Sequence, residues 1–340
     1  MLSHLQKKLL ATVCVALVVL GSCAGCSKTV NSKNLTIWTY DSFYSEWGPG
    51  LEIARRFKEE SGIEIKWEST GDAGSLLSKI ILEGPEAGAD IIIGLDQNMG
   101  DRAIESGLFE AYKPLNAAAV FPELVVYKDF ALIPFDYSYF AINYDSEKIG
   151  TANRPAVPAS LEDLTKAEYA KKLILIDPRT SSPGLGFAAW VKEIYKDQWK
   201  DYWQRLKPSI LTVADSWDTA YGLYTAGEAP LVLSYTTSPA YHLENEGSSR
   251  YRAAIFAEGH PIQIEFAGLL AAAKNKEAAK LFLDFMLKPS FQETIPLGNW
   301  MYPAIDIPLP DCFSINPKSD KPLYPKPLTD EELDQWAELF

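Results

Sequence analysis

Along this chain the apolar positions repeat either every two residues or about every 3.6, and the switches between the two periods mark its elements. "LTIWTY" (35–40) predicts a strand, and "GLEIARRFKEESG" (50–62) predicts an amphipathic helix that stops at Gly62. "IEIKWES" (63–69) returns to period two, and "SLLSKIILEG" (75–84) predicts a second helix. "ADIIIGL" (89–95) is continuously apolar, the pattern of a strand in a sheet covered on both faces. The order β-α-β-α-β predicts an α/β unit with a mainly parallel sheet.

A second series follows. "DFALIPFDYSYFAINYD" (129–145) predicts an extended segment, "LILIDP" (173–178) a strand, and "GLGFAAWVKEIYKDQWKDYWQRL" (184–206) one or two helices. "ILTVAD" (210–215), "WDTAYGLYTAG" (217–227) and "APLVLSYT" (229–236) predict strand, helix and buried strand. "IQIEFAGLLAA" (262–272) then runs into the helix "KEAAKLFLDFML" (276–287). Two α/β series without a long linker predict two lobes joined by segments that cross near 135–142 and 257–265. Trp190, Trp199 and Trp203 lie inside helical patterns and are expected there as packing or surface residues, outside any site.

Open α/β sheets bind ligands beyond the carboxyl ends of their strands. That rule selects Tyr40 and Asp41, Ser69 to Ser75, Asp96, Asp177 to Ser182, Asp215 to Trp217, and Tyr235 to Tyr241. If two lobes face each other, these positions meet in one cleft rich in aromatic, carboxylate and hydroxyl groups, with Arg179 its one basic residue. "IPLGNWMYPA" (295–304) adds Trp300 and Tyr302 in a stretch broken by Pro296, Gly298 and Pro303. It reads as a loop, and large aromatics on a loop need a partner outside a core.

The N-terminus changes the picture of where the protein works. Lys7 and Lys8 precede an uncharged run from Leu9 to Leu20, followed by "GSCAGC", so residues 1–26 read as an export signal. The run is too short for the roughly 20 residues that span a bilayer. The segment resembles a bacterial lipoprotein signal with Cys26, or Cys23, as the acylated residue; cleavage without lipidation is the alternative. Beyond it stand Cys312 alone and two histidines, His242 and His260, far apart in sequence, so neither a disulfide framework nor a zinc site is expected. Net charge is −13 and becomes more negative once Lys7 and Lys8 leave. An acidic exported domain without a basic block does not suit nucleic acid, and suits a cationic small molecule.

Three stretches carry candidate chemistry. In "SYTTSPAYH" (234–242) hydroxyls precede Pro239, which reads as the first residue of a helix capped by Ser238. Free N–H groups there could hold a phosphate or carbonyl, with Tyr235 and Tyr241 beside them, and an ordinary cap is the competing reading. "DPRTSSPGLG" (177–186) offers Asp177 either to a ligand cation or to its own turn and Arg179. "TGDAGSLLSKI" (70–80) places Asp72 and Ser75 at a helix entry and contains no P-loop. Trp217, between strand and helix, points into a cleft or staples the helix start. No nucleophile elbow and no recognisable histidine partner is present, so binding is favoured over catalysis.

With those residues in hand, "WTYDSF" (38–43), "WGPG" (47–50), "IIGLDQN" (92–98), "PFDYSYFAINYD" (134–145), "DPRTSSPGLG", "LVLSYTTSPAYH" (231–242) and "GNWMYP" (298–303) together resemble the periplasmic thiamine-binding proteins of bacterial ABC importers. The likeness runs from about residue 35 to 310. It implies the two-lobed periplasmic binding protein fold of type II, an α/β architecture of mixed, mainly parallel sheets with two crossover segments. Lobe 1 would comprise 27–138 plus 262–340 and lobe 2 would comprise 139–261. The thiamine-contacting positions it implies are Asp72, Ala73, Asp177, Trp217, Tyr235, Thr236, Thr237, Ser238 and Pro239. Tyr40, Tyr241, Trp300 and Tyr302 are matched aromatics expected to line the cleft. The family commonly has Asp-Gly where this chain has Asp72-Ala73, which bears on its preference between thiamine and the phosphate esters.

The resemblance implies a monomeric, periplasmic, lipid-anchored substrate-binding component with no cofactor and no catalytic residue. Its partners would be thiamine, thiamine monophosphate or pyrophosphate, the permease and ATPase subunits, and the membrane through the N-terminal lipid. Rival readings are a binder of ferric ion or a polyamine, and a thiaminase-like enzyme, for which Cys312 in "PLPDCFSINP" stands after the aromatic stretch.

Overall fold

The computed structural model describes residues 34–340, so the export-signal reading of 1–26 and both candidate lipidation cysteines lie outside the described residues. The first series forms as patterned: β1 (Asn34–Thr39), β2 (Glu64–Ser69) and β3 (Ile91–Asp96) are joined by helices α1 (Gly50–Ser61) and α2 (Ala73–Glu83). In α1 the apolar spacing buries Ile53 and Phe57 one turn apart. Gly62 then ends it at φ 74°, a left-handed value that glycine reaches without strain, and its N–H returns to the Lys58 carbonyl. Every residue of β3 is buried, as its unbroken apolar run requires. Each such Ile or Leu contributes about 1.5–3 kcal/mol on leaving water. Helix α3 (Gln97–Glu105) follows directly, capped by Asp96, whose carboxylate accepts the Asn98 N–H.

After the two-residue strand β4 (Phe109–Glu110), the chain enters the long strand β5 (Ile133–Asp145). The second series is β6 (Leu173–Ile176), α4 (Ser182–Tyr195), α5 (Trp199–Leu206), β7 (Ile210–Ala214), α6 (Trp217–Thr225), β8 (Leu231–Tyr235) and α7 (Pro239–Glu246). Strands β9 (Tyr251–Ala253) and β10 (His260–Leu270) lead to α8 (Lys276–Met286). Short strands β11 (Tyr302–Pro303) and β12 (Pro322–Leu323) and helix α9 (Asp330–Ala337) complete the described chain. Trp190, Trp199 and Trp203 are buried in α4 and α5, so they pack in the core and do not lie on the surface.

Strand order is β2-β1-β3-β10-β5-β8-β6-β7. Two parallel sets, β2-β1-β3 and β8-β6-β7, are joined by the antiparallel strands β10 and β5. Strand β5 is shared along its length: Ile133 to Tyr139 pair with β10, and Phe140 to Tyr144 pair with β8. The chain thus passes between the two parallel sets within unbroken strand rather than through flexible loops.

"IPLGNWMYPA" differs from the loop expected. Ile295–Gly298 is a single helical turn, Trp300 sits at φ 56°, and Tyr302 starts β11 paired with Tyr137 of β5. Pro296 is tolerated at the start of the turn, where its missing N–H has no helical partner to lose.

Candidate functional site

A cavity of about 390 Å³ opens between the carboxyl ends of the two parallel strand sets, within the size range of small-ligand pockets. Tyr40 enters it directly after β1, and glycine at position 94 permits this, because a Cβ there would stand 2.2 Å from Tyr40 Cε1. Trp217 and Tyr221, one turn apart on α6, stack with ring centres 4.9 Å apart and planes at 16°. Trp47, from the turn before α1, approaches Trp217 at 6.3 Å. Opposite them Trp300 meets Tyr241 edge to face at 5.2 Å and 87°. Tyr235, at the end of β8, also reaches the lining.

The polar part of the lining is acidic. Glu265 of β10 accepts the Tyr40 hydroxyl at 2.8 Å and the Gln263 amide at 3.1 Å. Asn299, beside Trp300, donates to Asp136 Oδ2 at 2.7 Å and stands 3.4 Å from Glu265 Oε2. Burial, then the neighbouring Asp136, pushes the Glu265 carboxyl well above the usual carboxylate range. Burial likewise raises Asp136, and it lifts Asp218 to about 6, with Asp72 and Asp41 adding to the shift. Among the described residues, no lysine or arginine lines the cavity. An uncompensated set of buried carboxylates costs several kcal/mol and favours a cation. Aromatic faces favour the same charge, at about 0.5–2 kcal/mol each.

Asp72 has a different role from the one its charge suggests. It caps α2 by accepting the Ala73 N–H at 2.7 Å, and its other oxygen accepts Ser181 Oγ at 2.6 Å and the Trp217 N–H at 3.1 Å. The carboxylate therefore ties the start of α2 to the starts of α4 and α6. Beside it the Ser75 N–H donates to the Thr180 carbonyl, and a Cβ at Gly74 would lie 2.6 Å from the Thr180 backbone.

Of the positions picked from the sequence, Tyr40, Asp72, Ala73, Ser182 and Trp217 reach the lining, as do Tyr235, Ser238, Tyr241 and Trp300. The others sit elsewhere. Asp177 closes on its own turn, accepting the Arg179 N–H at 2.8 Å and its guanidinium at 2.6 Å, so its charge is already met. Thr236 and Thr237 are fully buried, the first with its N–H on the Tyr139 carbonyl and the second with its hydroxyl 2.9 Å from that of Ser138. Pro239 is buried at the start of α7, and Tyr302 packs on Tyr137 and Phe313. Nor does Ser238 cap α7 with its side chain; the hydroxyl meets Ser234 Oγ at 2.8 Å, which in turn accepts the Trp217 indole N–H at 2.9 Å.

Sequence reasoning missed Glu265, Gln263, Asn299, Trp47, Tyr221 and Asp218 on the lining. Gln263 and Glu265 stand two apart in a strand whose other residues from Pro261 onward are apolar, so both point to one face. That polar pair was the available signal.

Residues 87–335 match the family model described as bacterial extracellular solute-binding protein. The chain is 44% identical over 291 residues to the thiamine-binding periplasmic protein of Brucella melitensis, covering 85% of each chain. Against the thiamine-binding periplasmic protein of Escherichia coli K12 it is 42% identical over 289 residues, covering 85% of this chain and 86% of the other. A solved structure described as a periplasmic thiamin binding protein superposes with TM-score 0.81 at 40% identity, over 90% of this chain and 93% of that one.

Proposed function

The chain belongs to the family of bacterial extracellular solute-binding proteins, and we propose that this member captures thiamine in the cleft and delivers it to an ABC importer. The carrying observation is a cavity in which Trp300, Tyr241 and the Trp217–Tyr221 stack share the lining with an acidic group headed by Glu265, with no basic residue on it among the described residues. Thiamine has a permanently charged thiazolium ring and a flat aminopyrimidine. Stacking such a ring on an aromatic is worth about 1–3 kcal/mol, and a cation over an aromatic face about 0.5–2 kcal/mol. Nanomolar binding needs about 12 kcal/mol. The carboxylates and closure of the two lobes supply the difference.

The fold is the two-lobed α/β fold of these binding proteins. The lobe division that fits is 27–138 with 262–340 against 139–261, supported by the exchange of partners along β5 between Tyr139 and Phe140. In this division Asp72 and Trp217 belong to opposite lobes, and their hydrogen bond is a closure contact. The protein works in the periplasm as a monomer, held at a membrane through a lipid on Cys26 or Cys23. It binds and releases its ligand without changing it.

Competition calorimetry tests this reading. Thiamine is expected to bind with a dissociation constant in the nanomolar to micromolar range, ahead of ferric ion and spermidine; thiamine monophosphate and pyrophosphate belong in the same series. Displacement of thiamine by spermidine or ferric ion at equal concentration would overturn it.

A further inference from the structure

Three acidic residues stand abreast in the sheet that floors the cavity. Glu265 of β10 is the register partner of Asp96 on β3 and of Asp136 on β5. Like charges directly opposite across strands repel, and these are among the more deeply buried polar residues, with Asp96 and Asp136 fully buried and Glu265 nearly so. Asp96 has its own helix to serve, holding the Asn98 N–H and side-chain amide at 2.9 and 3.0 Å. Asp136 and Glu265 have between them one mediator, the Asn299 amide, and Asp136 Oδ1 is buried with no hydrogen-bond partner. Glu265 reaches the lining and Asp136 does not.

The groups facing the pair are Tyr40 after β1, Asp72 at α2, Asp96 on β3, Tyr235 on β8 and Asn299. All are acidic or neutral. Among the described residues no lysine or arginine is on the lining, so neutral donors from Tyr40, Gln263 and Asn299 meet the pair and no positive side chain there offsets two charges. A proton on the pair or a cation in the cavity can do so.

We propose that Asp136 and Glu265 select the ligand's charge by exchange: in the ligand-free protein the pair holds a proton, and a bound cation displaces that proton to solvent. The inference rests on the reading of thiamine as ligand. It assigns Asp136, which is out of reach of the cavity, a part in specificity through Asn299 and Glu265. A neutral ring of the same shape would leave the proton in place and forgo the exchange. The direction of both carboxyl shifts, upward through burial, agrees.

The sign is fixed. A cation favours the ionised pair, so protons leave on binding and affinity for thiamine rises with pH while the ligand-free pair is protonated. The rise reaches at most about tenfold per pH unit for one proton. The test is titration calorimetry of thiamine at pH 7 in two buffers of different protonation enthalpy, where the difference in heat counts protons. Release of roughly 0.5–1 proton per thiamine is expected, falling towards zero in Asp136→Asn, a near-isosteric change that still lets Asn299 donate. Glu265→Gln provides the same readout should Asp136→Asn fail to fold. Thiamine binding without proton release, or release undiminished in both variants, overturns the inference and leaves the thiamine reading standing. Failure of thiamine to bind in either buffer overturns both.

Discussion

The Asp72 carboxylate accepts the backbone N–H of Trp217 at 3.1 Å, although 145 residues separate them in the chain. The same oxygen holds Ser181 Oγ at 2.6 Å. One side chain thus fastens three helix starts, each of which presents N–H groups and the positive end of a helix dipole. That arrangement stabilises the carboxylate even as burial works to raise its pKa.

Asp72→Ala therefore removes a cap and, in the lobe division proposed above, a closure contact as well. Loss of the cap costs about 0.5–2 kcal/mol of stability. Loss of the contacts to Ser181 and Trp217 acts on the closed form, so thiamine dissociation should accelerate by about tenfold or more, equal to roughly 1.4 kcal/mol. Stopped-flow measurement of the off-rate checks it; a normal off-rate alongside a lowered melting temperature would reduce Asp72 to a cap.

Gly74→Ala probes the same closure sterically. Its added Cβ meets Thr180 backbone at 2.6 Å, and neither side is the flexible end of a side chain. Melting temperature should stay near that of the parent, since alanine suits the first turn of a helix, while thiamine affinity falls. Equal affinity in calorimetry would mean that α2 and the Thr180 turn shift apart without cost.

Trp300→Ala should weaken thiamine by about 1–3 kcal/mol, the range for one stacked ring. Alanine carries a Cβ as tryptophan does, so the left-handed backbone at φ 56° is equally strained in the variant and folding serves as an internal control. Affinity unchanged in calorimetry would take Trp300 out of the site.

Asp96 gives a pH signature of stability. Burial raises its folded pKa to about 7, against the ordinary 3.8 expected of the unfolded chain. Between these values the folded state binds a proton that the unfolded state does not, so falling pH stabilises the fold through this group. Buried His260 and His242 act oppositely, since burial lowers their folded pKa values and stability is lost as pH falls below about 6.5. Asp96→Asn isolates the first effect: the stability gap between parent and variant should move in the parent's favour by up to about 1.4 kcal/mol per pH unit from pH 7 to 4. Urea titrations at several pH values that show a constant gap would contradict it.

Much of the fold was legible because its strands and helices carry pure periods. The runs at 35–40, 89–95 and 210–215 each became a strand within two residues of the boundary read from the pattern. The aromatic half of the site was legible through strand ends, where Tyr40, Trp217 and Tyr235 stand. Its acidic half was not, because Asp136 and Glu265 lie inside long buried strands whose pairing alone sets them side by side. Asp177 and Asp72 look alike in the sequence, each an acid before a helix. Only the fold tells them apart, giving one to Arg179 and the other to a distant helix start.

The central claim, capture of thiamine, is tested most directly by native mass spectrometry of the purified protein with and without added thiamine. A single shift equal to one thiamine cation, saturating at one per chain and lost in Trp300→Ala at limiting ligand, is the predicted result. A protein that gains no such mass at micromolar thiamine, or carries a different small molecule that thiamine does not displace, would contradict it.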